Sequence, residues 1–137
     1  MIQRLSHTTI YVLDQDAAKD FYVNKLGFEA RMDAKMDNGF RWLTVSPKGQ
    51  PDLQVILMQV DGPNMKPEAA AAIRALLEQG RLNGGVLQTG DCRQAYEQLS
   101  SMGVEFAGPP ADRFYGVEAI LKDNSGNWFS LTEPKGQ

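Results

Sequence analysis

The chain has 137 residues, long enough to bury the core of one domain, and its 42% hydrophobic and 23% charged residues are typical of a globular protein. Its net charge of −3 and lack of a basic run argue against nucleic-acid binding, which needs clustered Lys and Arg. No apolar run is long enough to cross a bilayer, so we expect no membrane partner. The single cysteine, Cys92, and an N-terminus without a signal-peptide pattern predict a cytoplasmic protein.

The first part of the chain predicts a strand, a helix and three further extended segments. Residues 5–13 are rich in β-branched side chains and predict the first strand. Asp14 is suited to cap a helix that ends at Gly27. Extended segments at 28–32, 40–45 and 53–60 follow. We therefore predict a βαβββ module over about residues 1–61.

The rest of the chain predicts a connecting helix and a second copy of the same unit. Pro67 and Gly80 bound a connector helix within residues 64–80. Asp91 caps the next predicted helix, and residues 123–127 form a hairpin turn between two strands. The order strand–Asp–helix–Gly–strand recurs after about 77 residues, which predicts a second module at about 83–134. Coincidence is the alternative, because this order is common in α/β proteins.

Several of these segments resemble a known superfamily. They are SHTTIYV at 6–12, DQDAAKDFY at 14–22, LGF at 26–28 and DNSGNWFSL at 123–131. Together they resemble the opening module and the final hairpin of the vicinal oxygen chelate superfamily, which includes glyoxalase I, bleomycin-resistance proteins, fosfomycin-resistance enzymes and extradiol dioxygenases. The resemblance implies a single domain over 1–137 with an α+β fold. In that fold two βαβββ modules form a curved mixed-sheet cup, often completed by a homodimer.

The same resemblance identifies four positions that hold a metal ion in the metal-dependent members. His7 stands at the first of them, but Gln54, Gly85 and Ser130 lie at or nearest to the other three. Because one imidazole with neutral or absent partners is a poor metal site, we expect no metal and no cofactor. The lone histidine also excludes any mechanism that needs two. Strand alternation points Glu133 away from Ser130.

Strand alternation also selects the side chains that would line the cup. On the first module these are His7, Thr9, Tyr11, Gln54, Ile56 and Met58; on the second they are Leu87, Trp128 and Ser130; Arg41, Arg113 and Tyr115 are candidates for the rim. Such a mostly apolar and aromatic lining is typical of a small-molecule pocket. The arginines would favour an anionic or planar ligand. Their alternative role is that of solvated surface residues.

Three functions agree with this pattern. The first is a bleomycin-resistance-like protein that sequesters or carries a small, possibly aromatic ligand, as a homodimer. The second is a glyoxalase-like lyase or isomerase, or a dioxygenase-like enzyme, that uses His7 with metal ligands supplied from elsewhere. The third is a metal-free enzyme with His7 as its general acid or base. The ligand, and whether modules pair within or between chains, stay open at this point.

Overall fold

The N-terminal half of the chain forms a four-stranded sheet in the computed structural model, which describes residues 1–136. Its strands are β1 (His7–Val12), β2 (Glu29–Lys35), β3 (Arg41–Ser46) and β4 (Gln54–Gln59). Their order is β1-β4-β3-β2, with β1 parallel to β4 and the other neighbours antiparallel.

One helix covers this first sheet. Helix α1 (Gln15–Asp20) starts at Asp14, whose carboxylate accepts from the backbone N–H of Ala17 at 2.9 Å. It continues into a π-helical segment, Phe21–Lys25, so that the sequence-predicted helix is present with a wider last turn.

The C-terminal half repeats the arrangement in a second sheet. After helix α2 (Pro67–Glu78) come β5 (Asn83–Gln88), α3 (Cys92–Ser101), β6 (Glu105–Phe106), β7 (Ala111–Arg113), β8 (Gly116–Lys122) and β9 (Trp128–Pro134). The strand order is β5-β9-β8-β6, and β7 also pairs with β8. Asp91 caps α3 as the sequence predicts, because its side chain accepts from the N–H of Gln94. The predicted α+β fold class with two sheets is confirmed.

The helix-facing sides of the two sheets share one hydrophobic core. The first sheet contributes Ile10, Val12, Leu43, Val45, Val55 and Leu57, and the second contributes Ala119, Leu121, Phe129 and Leu131. The ring of Tyr22, which is fully buried, lies 6.2 Å from that of Phe129 and so joins the halves. The two sheets therefore meet through their helix-facing sides.

The other sides of the sheets face away from this core, because side chains alternate along a strand. The first outer face consists of His7, Thr9, Tyr11, Trp42, Thr44, Gln54, Ile56 and Met58. The second outer face includes Val86, Glu118, Ile120, Lys122, Trp128, Ser130 and Thr132. Within residues 1–136 no helix is both long and apolar enough to span a bilayer.

Candidate ligand-binding site

The first outer face brings together six of the side chains that alternation selects. The parallel pairing of β1 and β4 sets His7 beside Gln54, Thr9 beside Ile56, and Tyr11 beside Met58. These six residues therefore form three adjacent rows on one side of the sheet.

Polar and aromatic groups on this face contact one another. The His7 Nδ1 lies 3.0 Å from the Ser6 hydroxyl, and its ring centroid lies 6.0 Å from that of Trp42. The Gln54 amide oxygen accepts from the Thr44 hydroxyl at 2.7 Å. Tyr11 differs from its neighbours, since it packs against a small cluster under helix α2. The open part of the face thus offers an imidazole, an indole and an amide.

The second outer face contains a concavity of about 340 Å³. Its lining residues are Asn83, Gly85, Val86, Tyr115, Glu118, Trp128, Ser130 and Thr132, all of them from the second half of the chain. This is the place where Tyr115, Trp128 and Ser130 meet. One chain therefore presents the side chains predicted for the cup on two separate faces.

Glu118 is the acidic group of this concavity. One carboxylate oxygen accepts from the Tyr115 hydroxyl at 2.5 Å, and the other accepts from the Ser130 hydroxyl at 2.5 Å. The Thr132 and Ser130 hydroxyl oxygens lie 2.7 Å apart, which extends the chain of hydrogen bonds. The hydrogen bond from Ser130, followed by that from Tyr115, lowers the pKa of Glu118, so the carboxylate is ionised at neutral pH.

Sequence reasoning missed Glu118, although the signal for it was present. The turn at 123–127 joins two antiparallel strands, and counting outward from it pairs Lys122 with Trp128 and Glu118 with Thr132. A residue opposite Thr132 must share the face of Ser130 and Thr132. Glu118 therefore brings a carboxylate to Ser130, a position for which the sequence analysis considered only Glu133.

Leu87 does not lie where the sequence predicts. In the structure it pairs with Leu131 and packs against the shared core, whereas Val86 pairs with Ser130 on the outer face. The register of β5 shifts between Asn83 and Gly85, and a shift of one residue moves every later side chain to the opposite face.

Arg41 does not lie at the rim of the cup, where the sequence analysis places it. It lies on the helix-facing side of β3, like Leu43, and its guanidinium forms two hydrogen bonds with Asp33, at 2.8 and 2.9 Å, and one with Asp16 at 2.7 Å. The bonds from Arg41, and then the bond from Lys19, hold the pKa of Asp33 well below its usual range. Arg41 is therefore engaged away from both outer faces.

Arg113 remains next to the concavity, although its contact there is weak. Its Nε lies 3.7 Å from a Glu118 oxygen, beyond hydrogen-bond distance, and its side chain is 55% exposed. Such an ion pair contributes little to stability.

The residues at the family's metal positions do not fit a metal ion. His7 and Gln54 lie on the first outer face, whereas Ser130 lies on the second and bonds to Glu118. Glu133 points to the helix-facing side, as alternation predicts, and accepts from the N–H of Cys92 at 3.0 Å. Within residues 1–136, no three His, Cys, Asp or Glu side chains converge on a common point. The four positions themselves supply one nitrogen and neutral oxygens, and the Glu118 carboxylate beside Ser130 already accepts from two hydroxyls, so this set of groups fits a divalent ion poorly.

Comparison with known proteins agrees with this architecture. Residues 4–131 match the family model of the Glyoxalase/Bleomycin resistance protein/Dioxygenase superfamily. Similar structures include UcmS2, with 47% identity, a TM-score of 0.92 and coverage of 97% of this chain and 99% of that one. TnmS3, described as an antibiotic binding protein from Streptomyces sp. CB03234, has 33% identity and a TM-score of 0.75, with 98% of each chain covered. The uncharacterized protein YetH of Bacillus subtilis (strain 168) is 32% identical over 133 residues, which span 97% of this chain and all of that one.

The family match, the strand–helix–strands order that both halves share and the shared helix-facing core all lead to one assignment. The chain belongs to the Glyoxalase/Bleomycin resistance protein/Dioxygenase superfamily.

Proposed function

We propose that the protein binds a small planar aromatic molecule in a cup, which its two outer faces form when a second copy of the chain is present. The observation that carries this proposal is the direction of the outer faces. Both turn aromatic and hydroxyl-bearing side chains away from the shared core, and the lining of the second concavity includes no residue of the first sheet. A half-site of this shape cannot bury most of a ligand by itself, as small-molecule sites generally do.

The sheet edges support closure by a second copy. Strands β1 and β5 each end the order of their sheet, and exposed side chains such as Thr9 and Val86 lie along them. Open strand edges are usually covered or paired in native proteins. When β1 of one copy lies beside β5 of another, a first outer face adjoins a second one. A symmetric dimer would contain two such cups, in accordance with the homodimer expected from the sequence.

The chemistry of the two faces supports an aromatic ligand. Both tryptophans of the chain, Trp42 and Trp128, are half-buried on outer faces, where each leaves ring surface available for stacking. Hydroxyl and amide groups beside them would orient a ligand. The resemblance to TnmS3, an antibiotic binding protein, favours a natural product of antibiotic type. The degenerate metal positions favour binding and sequestration over metal-dependent catalysis.

The positions of the two tryptophans give a direct test. We would titrate the protein with three planar tricyclic compounds: neutral acridone, cationic proflavine and anionic anthraquinone sulfonate. Saturable quenching of tryptophan fluorescence is expected with at least one of them, with a Kd of about micromolar or lower. Trp42→Phe and Trp128→Phe each leave one fluorescent tryptophan. In each variant the compound should quench the fluorescence of the tryptophan that remains. N-acetyltryptophanamide, titrated with the same compounds, is the control for the loss of fluorescence that is caused by light absorption and not by binding.

Two results would contradict the proposal. The absence of saturable quenching by all three compounds would remove its basis. Stoichiometric Zn, Ni, Mn or Fe in protein purified without chelator, lost in His7→Ala, would favour the glyoxalase-like or dioxygenase-like enzyme instead.

A further inference from the structure

Glu118 provides a negative charge in a partly enclosed, otherwise uncharged part of the second outer face. Its side chain is only 15% exposed, and neutral hydroxyls of Tyr115 and Ser130 hold its two oxygens. These donors fix the orientation of the carboxylate and leave its net charge in place. Each carboxylate oxygen can accept a further hydrogen bond, so the group can still bind a donor from a ligand.

The cation paired with this carboxylate is Arg113, and its side chain is largely exposed. Arg113 Nε stops at 3.7 Å and more than half of its side chain is in solvent, so water screens the pair. A partly desolvated carboxylate whose ion-pair partner is exposed and beyond hydrogen-bond distance still gains from a ligand that brings its own positive charge.

The same concavity also holds the aromatic ring of Trp128, which lies two residues along β9 from Ser130, the hydroxyl partner of Glu118. Trp128 and Glu118 both line it, together with the apolar side chain of Val86. An indole face attracts a cation and stacks on a planar ring, so both features favour the same kind of molecule. We propose that Glu118 makes the site selective for planar aromatic ligands that carry a protonated amine or another cationic nitrogen. This inference rests on the proposed function and specifies its ligand class.

The three compounds used above also test this selectivity, because they are similar in shape and differ in charge. Proflavine should bind more tightly than acridone, and anthraquinone sulfonate should bind least. Glu118→Gln should reduce proflavine affinity about tenfold or more, since a charge-assisted hydrogen bond is lost, and should leave acridone affinity almost unchanged. Glu97→Gln, which removes the same charge from an exposed position on α3, is the matched control and should change neither affinity.

A second variant keeps the test decisive if Glu118→Gln unfolds, which circular dichroism would show. Arg113→Gln removes the competing cation at the rim and should raise proflavine affinity about twofold or more. Equal binding of proflavine and acridone, with both variants at wild-type affinity, would overturn the role of Glu118 and leave aromatic binding intact. Tightest binding of the anion, weakened by Arg113→Gln, would overturn it in favour of Arg113. Failure of all three compounds to bind would overturn this inference together with the proposed function.

Discussion

The two hairpin turns that join the last two strands of each half have the same topological position and very different surroundings. The turn between β8 and β9 is embedded in the first half of the chain. Its Asp123 accepts from the Tyr22 hydroxyl at 2.6 Å, Ser125 Oγ accepts from the N–H of Leu13 at 2.9 Å, and the Asn127 amide donates to the Tyr11 carbonyl at 2.8 Å. These bonds join the two halves.

Within residues 1–136, the turn between β3 and β4 makes no comparable set of hydrogen bonds with the other half of the chain. Residues 47–50 line an open cleft of about 960 Å³, together with residues that include Ala95 and Leu99 of α3. Gly49 and Gln50 are exposed, whereas Asp123, Ser125 and Asn127 are all buried. Two copies of one structural module can therefore make very different contacts with the rest of the molecule. The turn between β8 and β9 adds hydrogen bonds to the junction that the shared core forms, and we expect the turn between β3 and β4 to contribute little to it.

Alanine substitution of one glycine in each turn should show the largest contrast. Gly126 has a φ of +107°, and a Cβ there would overlap the Leu77 carbonyl oxygen, whereas a Cβ on Gly49 would meet no atom within 4 Å. Gly126→Ala should lower the free energy of unfolding by about 3 kcal/mol or more. Gly49→Ala should change it by less than about 0.5 kcal/mol. Urea unfolding followed by circular dichroism measures both, and equal effects would contradict the asymmetry.

Removing the Tyr22 hydroxyl should have a smaller effect at the same junction. Tyr22→Phe takes one donor from the buried Asp123 carboxylate and should cost about 1–3 kcal/mol near neutral pH. Tyr96→Phe deletes the same group from a half-buried ring on α3 that packs against Phe106, and should change stability by less than about 0.5 kcal/mol.

The pH dependence of stability in the wild type and in Tyr22→Phe gives a further check of the hydrogen bond between Tyr22 and Asp123. Burial, and then the charge of Asp123, raises the pKa of Tyr22 well above its ordinary value. The folded state therefore retains a proton that the unfolded state loses above about pH 10, and the stabilisation falls as pH rises further. The difference between the wild type and Tyr22→Phe should narrow in that range. A difference that stays constant from pH 7 to strongly alkaline conditions would contradict the assignment.

Local rules predict much of this molecule. Asp14 and Asp91 cap their helices as their side-chain chemistry requires, and alternation gives the correct face for His7 and Gln54 because β1 and β4 are regular. The same rule would have placed Arg41 with Leu43 on the helix-facing side, where its ion pairs are found.

Other features depend on information that a local pattern does not contain. The register shift between Asn83 and Gly85 moves Leu87 to the side of the sheet that packs against the core. The local sequence contains no pattern that predicts this shift. The long-range partner of Asp123, Tyr22, lies about a hundred residues away along the chain, so this contact depends on how the halves dock. The same docking turns the outer faces away from each other. Whether the modules pair within one chain or between chains is a point that the sequence leaves open.

The central claim, a cup shared between two copies, is tested most directly by mixing two damaged chains. Trp42→Ala weakens the first outer face and Trp128→Ala weakens the second, so each variant alone should lose tight binding of proflavine. After subunit exchange, half of the dimers should be mixed, and each mixed dimer should contain one intact cup and one cup with both defects. Equilibrium dialysis should then recover about a quarter of the wild-type tight sites. Recovery of no tight sites, with dimer exchange verified by native mass spectrometry, would contradict the shared cup.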